Sequence, residues 1–167
     1  MTERLLQFIW QFQYFNKSNL ATADGEPVQV INPGIFNSNQ GPDFLNARLT
    51  IGAAAWAGTV ELHLKCSDWN RHRHHEDGNY TNVILHVVWE NNGCQNNISV
   101  LELKDRVAKL LLERYEELMH STSFIPCEKN IVEVRDITWN SWKERLLAER
   151  LLRKSAVAVT LLKQNNY

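Results

Sequence analysis

The sequence predicts an α/β (α+β) fold in which a mixed central sheet is flanked by helices and followed by a C-terminal helical extension. Three patterns predict it: apolar residues at helical spacing near the N-terminus, two alternating segments that can pair as a hairpin, and a long helical pattern near the C-terminus. Of the 167 residues, 44% are hydrophobic and 22% are charged, which is typical of a folded globular protein. We expect a core domain over residues 1–120, and a linker with a long helix over residues 121–167.

The N-terminal half of the core is predicted to contain one helix and three strands. Residues 2–16 place apolar side chains at helical spacing with glutamines between them, which is typical of a helix packed on a core. A short strand is expected at residues 28–31. Residues 44–51 and 56–65 both alternate and are joined by a short linker, which predicts a hairpin.

The remaining elements follow in the same way. Ser67 and Asp68 are good N-cap residues for a short helix, and residues 83–89 are almost continuously apolar, which predicts a strand buried on both faces. A further strand is expected at residues 98–103 and a helix at residues 104–120. A capping-box pattern at residues 141–144 predicts the start of the last helix.

The last helix is apolar nearly all round between residues 155 and 162. A helix of this kind has to be buried against something. We therefore expect either a homodimer formed through it or a further region beyond residue 167 that packs on it.

Charge and cysteine content limit the class of protein. The formal net charge is −1, so a site for nucleic acid has to come from local charge placement rather than from a global positive field. The three cysteines are odd in number and contain no CxxC pair, which argues against a disulfide framework and against a structural zinc cluster. The N-terminus matches neither a signal peptide nor a membrane span, so we expect no membrane association and a cytoplasmic location.

Chemistry is concentrated between residues 41 and 90, which contain five of the six histidines. Asp43 follows a Gly-Pro turn at the start of one predicted strand. Glu61, His63 and Lys65 lie at every second position of the next strand and therefore share one face. This row of polar groups has two interpretations: a solvated outer face, or part of a site.

The order of elements, with Pro42-Asp43 before one strand and Glu61-Leu62-His63 inside the next, resembles the PD-(D/E)XK nuclease superfamily. The resemblance covers about the first 90 to 100 residues. It implies a restriction-endonuclease-like αβββαβ core, with Asp43 and Glu61 as metal ligands in a metal-dependent phosphodiesterase. The superfamily's lysine position holds His63 here, and Lys65 lies two residues further along the strand.

The longer strings GPDFLNARL, VELHLKCSDW and NVILHVVW are also similar to a family of bacterial proteins of unknown function. That resemblance covers most of the first 105 residues. It implies no established activity, and members of that family are longer than this chain.

Two carboxylates on adjacent strands can share a divalent cation, and Mg²⁺ accepts one or two carboxylates together with water and phosphate oxygens. The predicted cofactor is therefore Mg²⁺ or Mn²⁺, held by Asp43 and Glu61. His63 is either a third metal ligand, which would favour Mn²⁺ or another transition metal over Mg²⁺, or a general base. Lys65 is the other candidate for the base or for a charge stabiliser.

Basic and imidazole side chains near this pair are candidates for binding phosphate groups of DNA or RNA. The alternative interpretation of this charged segment is a solvated surface. The candidate substrate-binding residues are Arg48, Arg71, Arg73, His74 and His75.

A competing hypothesis is a zinc or iron centre built from histidines, because a catalytic zinc needs only three protein ligands and water. Neighbouring histidines of one loop are not expected to converge on one ion, and the spacing does not match the HxHxDH pattern of the metallo-β-lactamase fold. His86 is predicted to be a hydrogen-bonded core residue unless it shares the face of Glu61 and His63, and Asp68 is a further weak candidate. The candidate ligands of this centre are His72, His74, His75, Asp77 and His86.

The sequence thus supports three functions. The first is a metal-dependent nuclease with Asp43 and Glu61 as ligands and His63 or Lys65 as base or charge stabiliser. The second is a non-catalytic module for nucleic-acid binding or assembly that keeps a degenerate nuclease fold. The third is a histidine-rich metallohydrolase that acts on a small molecule.

Overall fold

A mixed β-sheet forms the centre of the first of two units in this chain. The computed structural model describes residues 1–93, 97–120, Glu128 and 134–165. The chain divides into one unit at Met1–Glu116 and a second at Glu117–Tyr167. The linker expected after residue 120 lies almost wholly outside the described residues.

Six strands of the described residues form the sheet, in the order β1-β3-β4-β5-β6, with β2 paired to β3. The pairs made by β1, β2 and β4 with β3 are antiparallel, whereas β4–β5 and β5–β6 are parallel. The predicted mixed sheet flanked by helices is therefore confirmed, as is the hairpin of β3 and β4. The strands are β1 (Val28–Asn32), β2 (Ile35–Phe36), β3 (Phe44–Ile51), β4 (Ala54–Lys65), β5 (Val83–Glu90) and β6 (Val100–Glu102).

The helices begin and end at residues that differ from the prediction at several points. The first ends early because Gln13 adopts a left-handed conformation with φ 57°, which turns the chain away from the helix. The last begins before the capping-box pattern at residues 141–144, which lies inside the helix, so the predicted start was wrong. The helices are α1 (Glu3–Gln11), α2 (Asp68–Arg71), α3 (Lys109–His120) and α4 (Asp136–Gln164).

The main apolar core lies between α1 and one face of the sheet. The Thr2 side chain caps α1 by accepting a hydrogen bond from Leu5 N at 3.2 Å, and Trp10 Nε1 donates to Pro33 O at 3.0 Å. Each large apolar side chain buried here contributes about 1.5–3 kcal/mol. Buried members of this core include Leu6, Ile9, Trp10, Phe44, Leu49, Val60, Leu62, Leu85, Val87 and Leu101.

The parallel crossover through α2 sets the register that matters for the site. Glu61 of β4 pairs with His86 of β5, and His63 pairs with Val88. On the other side of β4, Phe44 pairs with Val60, so Asp43 lies at the start of β3 close to Glu61. The register therefore brings the polar residues of three segments to one end of the sheet.

The second unit contains α4, a helix of 29 residues. None of its residues is buried, although its sequence is rich in leucine and valine. The expectation of a partner that covers this helix stays a prediction. No helix among the described residues combines the length and the apolar character needed to span a membrane.

Candidate metal centre

The polar face of β4 is buried rather than solvated. Glu61 is 6% exposed and His63 is 1% exposed, so the interpretation of this row as an outer face is wrong at these two positions. Buried polar groups need partners. Their partners come from Asp43 directly before β3, from β5 and from the segment after β4.

Three histidine side chains converge at this point. The Nε2 atom of His63 lies 3.1 Å from Nδ1 of His72 and 3.3 Å from Nε2 of His74. The three nitrogen atoms all lie within 4.8 Å of one another. His63 comes from β4, whereas His72 and His74 follow α2, so two segments of the chain build the cluster.

The local backbone explains why two histidines of one loop converge, against the sequence expectation. His72 ends α2, where its N–H bonds to Asp68 O at 2.9 Å, and a 3₁₀ helix begins at His74. Between them Arg73 is left-handed, with φ 57°, a conformation that costs a non-glycine residue about 1–3 kcal/mol. This turn directs His72 and His74 to the same side and leaves His75 outside the cluster.

Glu61 supplies a fourth donor atom to the same point. Its Oε1 lies 3.5 Å from His63 Nε2 and 3.4 Å from His74 Nε2. The other oxygen, Oε2, accepts a hydrogen bond from Asp43 N at 3.0 Å. Asp43 therefore holds Oε2 of Glu61 by a hydrogen bond, and Oε1 faces the histidines.

Asp43 contacts the cluster through Glu61 and the backbone of β4. Its Oδ2 accepts a hydrogen bond from Leu62 N at 3.0 Å, and its Oδ1 accepts one from Gln7 Nε2 of α1 at 2.8 Å. With the bond from its own N–H to Glu61, Asp43 joins α1, β3 and β4. Its position fits a residue that orients Glu61.

His86 lies directly behind His63. The two rings approach with His63 Nδ1 at 2.8 Å from His86 Nε2, and His86 is fully buried. On its other side His86 Nδ1 is 4.0 Å from the sulfur of Cys66. His86 is thus a hydrogen-bonded core histidine that also shares the face of Glu61 and His63.

The cysteine pattern differs from the expectation at one position. Cys66 is disulfide-bonded in this structure, a bond that was not expected from a cysteine count that argued against a disulfide framework. Cys94 and Cys127 lie outside the described residues. Spacing alone could not reveal this bond, because pairing depends on Cα separation in the fold.

Burial controls the protonation of the cluster. It lowers the pKa of His63 to about 2 and that of His86 to about 4, and in both cases a neighbouring histidine adds to the effect. Burial also lowers the pKa of His74. The lowered pKa values favour the neutral imidazoles of His63, His74 and His86 near pH 7, which is the form that binds a metal ion.

The two carboxyl groups shift in the opposite direction. Burial, together with the charge of Asp43, raises the pKa of Glu61 to about 9. Burial also raises the pKa of Asp43 to about 6, against a lowering by the hydrogen bond from Leu62 N. An unbalanced negative charge is thus disfavoured here, and a cation would remove that penalty.

The donor spacing fits a metal ion. Ligand atoms about 2.0–2.1 Å from a tetrahedral zinc ion lie about 3.3–3.4 Å from each other. His63 Nε2 lies 3.1 to 3.5 Å from His72 Nδ1, His74 Nε2 and Glu61 Oε1, and His74 Nε2 lies 3.4 Å from Glu61 Oε1, separations close to that edge length. The three histidine nitrogens together lie within 4.8 Å of one another. Such a group of His63, His72 and His74 could hold a metal ion.

Two predicted residues lie at the rim of the cluster. The side chain of Arg71 is 70% exposed, and its Nη2 atom lies 3.2 Å from Asp68 Oδ1 and 3.4 Å from His72 Nε2. Asp68 is largely buried and its Oδ2 accepts a hydrogen bond from Lys65 N at 3.2 Å. Asp68 therefore ties α2 to the end of β4 and orients Arg71 beside the histidines.

Other predicted residues lie away from the converging donor atoms. Lys65 is exposed at the end of β4, and Arg73 is exposed in the loop. Arg48 lines a different cleft, together with Asn32 and Asn82 on the β3–β4 side of the sheet. Their predicted roles are not tested by this geometry.

The remaining two predicted residues lie beside the cluster, in the wall of a neighbouring pocket. His75 pairs with Glu76 at 3.4 Å, and Asp77 caps a 3₁₀ turn by accepting a hydrogen bond from Asn79 N. Neither supplies a donor atom to the group of converging nitrogens. The hypothesis of a centre that uses His75 or Asp77 as ligands is thus unsupported by the geometry.

Sequence reasoning missed several neighbours of the cluster. Gln7 and Glu3 of α1 approach it from the N-terminus, and Glu3 interacts electrostatically with His72. Trp69 and Tyr80 pack against His74 with ring-centre distances of 5.3 and 3.8 Å. The spacing of Glu-x-His in β4 and His-x-His after α2 was the available signal for the cluster itself.

A protein family matches this chain over almost its whole length. The family model described as "Protein of unknown function (DUF2851)" matches residues 3–167. The chain belongs to that family. DUF2851 membership agrees with the resemblance to a family of unknown function, and it does not test the nuclease resemblance. No curated protein and no solved structure matched this DUF2851 chain.

Proposed function

We propose that this DUF2851 protein is a metal-dependent hydrolase whose divalent ion is held by His63, His72 and His74, with Glu61 as fourth donor. One observation carries the proposal. The Nε2 atom of His63 lies within 3.5 Å of two further imidazole nitrogens and a carboxylate oxygen, in a mostly buried position. The proposal combines the histidine-rich metallohydrolase expected from the sequence with the Glu61 carboxylate of the nuclease hypothesis.

The donor set favours a transition metal. Imidazole nitrogen suits Zn²⁺, iron, nickel or copper, whereas carboxylate and water oxygens suit Mg²⁺ and Mn²⁺. With three imidazoles and one carboxylate, Zn²⁺ and Mn²⁺ are the first ions to test. When bound, such an ion lowers the pKa of a water molecule and polarises the bond to be hydrolysed.

The chain's own residues would divide the remaining tasks. Asp43 orients Glu61 through its backbone N–H, and His86 orients the ring of His63. The exposed side of the cluster is the side of His72, where solvent and substrate can enter. Arg71, next to His72, is placed to bind an anionic group of the substrate.

A phosphodiester, in DNA or RNA, is the substrate class that we propose first. Its support is the guanidinium group of Arg71 at the rim, with Arg73 exposed in the same loop, and the order of elements that resembles PD-(D/E)XK nucleases. Lys65 would be a charge stabiliser at the end of β4. Two arginines in a short loop can hold a phosphate without a large net charge on the protein.

A second candidate is a non-catalytic module in which the ion is structural. The observation that favours it is the position of Glu61 Oε1, 3.5 Å from His63 Nε2 and 3.4 Å from His74 Nε2. An ion held by Glu61 and all three histidines would have four protein ligands, as closed structural zinc sites do. In that case the protein would bind metal and nucleic acid without cleaving it.

The experiment measures cleavage of bis(p-nitrophenyl) phosphate, single-stranded DNA, double-stranded DNA and RNA by protein loaded with Zn²⁺ or Mn²⁺. We expect metal-dependent cleavage by wild type, its loss in Glu61→Gln and a reduced rate in Asp43→Asn, because Asp43 orients Glu61. Asp24→Asn, which changes an exposed turn carboxylate, is the matched control for Asp43→Asn. Stoichiometric metal binding without cleavage of any phosphodiester would contradict the hydrolase and support the structural site.

A further inference from the structure

A pocket of about 420 Å³ opens beside the histidine cluster and shares His74 with it. This volume lies within the range of about 300–1,000 Å³ that is usual for small-molecule sites. Because His74 contributes its Nε2 to the cluster, a group seated in the pocket lies next to the candidate metal ion. The pocket is therefore placed to bind part of the substrate.

The pocket has aromatic walls on the side of the cluster. Tyr80 stacks on His74 with ring centres 3.8 Å apart, and Trp69 meets Tyr80 edge to face at 6.0 Å. Val83 and Ile98 add apolar surface. Because Tyr80 is partly exposed in the pocket wall, a flat ring can stack on it, since every nucleobase has a face that can stack on an aromatic side chain.

The other walls carry polar groups suited to the edge of a heterocycle. Asn70 and Asn97 offer amide groups that both donate and accept hydrogen bonds, and Asp77 offers carboxylate oxygens. Thr81 Oγ1 already donates to Gly78 O at 2.9 Å, which leaves its oxygen as an acceptor. Amide and carboxylate groups at the rim match the mixed donors and acceptors of a base edge.

The charge of the pocket's described lining does not favour a bound phosphate. Its described lining contains the carboxylate of Asp77 and neither lysine nor arginine. The cation next to the cluster is Arg71, which lies beside His72 and is not part of that lining. An anionic group therefore fits at the cluster and Arg71, and a neutral ring fits in the pocket.

We infer that this pocket binds the nucleobase of a nucleotide unit whose phosphate lies at the histidine cluster. The inference rests on the proposed function and names its substrate class. It assigns base contacts to Tyr80, Asn70 and Asp77, none of which was predicted from the sequence to bind a base.

Binding, rather than turnover, tests this inference, so its failure can be told apart from failure of the hydrolase. Calorimetric titration of the four nucleoside 5′-monophosphates, phenyl phosphate and methyl phosphate into protein loaded with Zn²⁺ gives the affinities. We expect at least one nucleotide to bind about tenfold or more tightly than methyl phosphate and more tightly than phenyl phosphate. A factor of ten corresponds to ~1.4 kcal/mol.

Variants locate the effect. Asn70→Leu and Tyr80→Leu should reduce the preference for the nucleotide over methyl phosphate to less than about threefold, whereas Tyr80→Phe keeps the ring and should keep the preference. Asn39→Leu, an exposed turn asparagine outside the pocket, is the matched control for Asn70→Leu. Metal content is measured for each variant, since Tyr80 also supports His74.

Two results would overturn the inference. Equal affinity for all nucleotides and for methyl phosphate would mean that the pocket holds no base. A preference that survives both Asn70→Leu and Tyr80→Leu would place the base elsewhere. Absence of phosphodiester cleavage, by contrast, would contradict only the proposed hydrolase. The pocket would still be supported if wild type prefers a nucleotide and Asn70→Leu and Tyr80→Leu do not.

Discussion

The two faces of β4 are both buried, but they are stabilised in different ways. Val60 and Leu62 on one face are fully buried against α1 and need no partners beyond other apolar side chains. Glu61 and His63 on the opposite face are nearly as buried, and each depends on hydrogen-bond partners from other segments. Neighbouring residues of one strand are thus stabilised in two ways, by apolar packing on one face and by hydrogen bonds on the other.

The difference teaches where to look for function. Apolar burial on the Leu62 face is enough to explain why the sheet folds against α1. Replacement of buried ionic or polar groups by apolar ones is often neutral or stabilising, so stability alone does not explain Glu61 and His63. A bound cation gives a reason for their presence, because it balances the carboxylate and uses the neutral imidazoles.

The largest effect on stability is expected on the apolar face. Leu62→Ala should lower the free energy of unfolding by about 2–5 kcal/mol, because it leaves a cavity next to α1. Leu62→Met, which nearly conserves volume, should cost less than about 1.5 kcal/mol. Urea unfolding with an unchanged m-value measures both, and metal bound per folded chain should equal that of wild type. Loss of metal with retained stability would contradict the separation of the two faces.

The polar face should make the metal-free protein sensitive to alkaline pH. The pKa of Glu61 is raised from 4.5 to about 9, so between pH 6.5 and 9 the folded protein holds a proton that the unfolded chain has released. Stability is therefore present at the lower end of this window and is lost as the pH rises, with a slope of up to ~1.4 kcal/mol per pH unit. Urea midpoints in EDTA across this window measure the slope.

Glu61→Gln supplies the control for that slope, because glutamine cannot release the proton. The metal-free variant should give a flat profile between pH 6.5 and 9, and metal-loaded wild type should also lose the slope because the ion balances the carboxylate. A slope of equal size in Glu61→Gln would show that another group titrates.

A smaller effect is expected at His86, which supports a ligand rather than acting as one. A metal ion on His63 Nε2 requires the proton on Nδ1, and His86 Nε2 at 2.8 Å is placed to accept it. His86→Leu removes this acceptor and should weaken metal affinity about 10–100-fold, as is typical of such partners. His86→Gln keeps an acceptor and should restore most of the affinity in calorimetric titration. Equal losses in both variants would mean that His86 acts only through packing.

Much of the fold followed from the sequence because the elements obey local rules. Alternation predicted the hairpin of β3 and β4, and the apolar run predicted β5. Helix ends were less accurate, since the end of α1 depends on the left-handed Gln13 and the start of α4 precedes its capping-box pattern.

The site was only partly predictable because it depends on pairing between distant segments. Asp43, Glu61 and His63 were identified from strand position, and the structure brings Asp43 and Glu61 into hydrogen-bond contact. The convergence of His72 and His74 depends on the left-handed conformation of Arg73. This conformation is uncommon for arginine and could not be predicted from the sequence. The β4–β5 register that places His86 behind His63 is likewise a tertiary property.

The most direct test of the central claim compares two histidines from the same loop. Calorimetric titration of Zn²⁺ and Mn²⁺ into metal-free wild type, His74→Ala and His75→Ala measures stoichiometry and affinity. His74 lies in the cluster and His75 is exposed beside Glu76. We predict one ion per chain in wild type, unchanged affinity in His75→Ala, and a loss in His74→Ala greater than the 10–100-fold typical of supporting residues. Equal affinities in the two variants, or no binding by folded wild type, would contradict the metal centre.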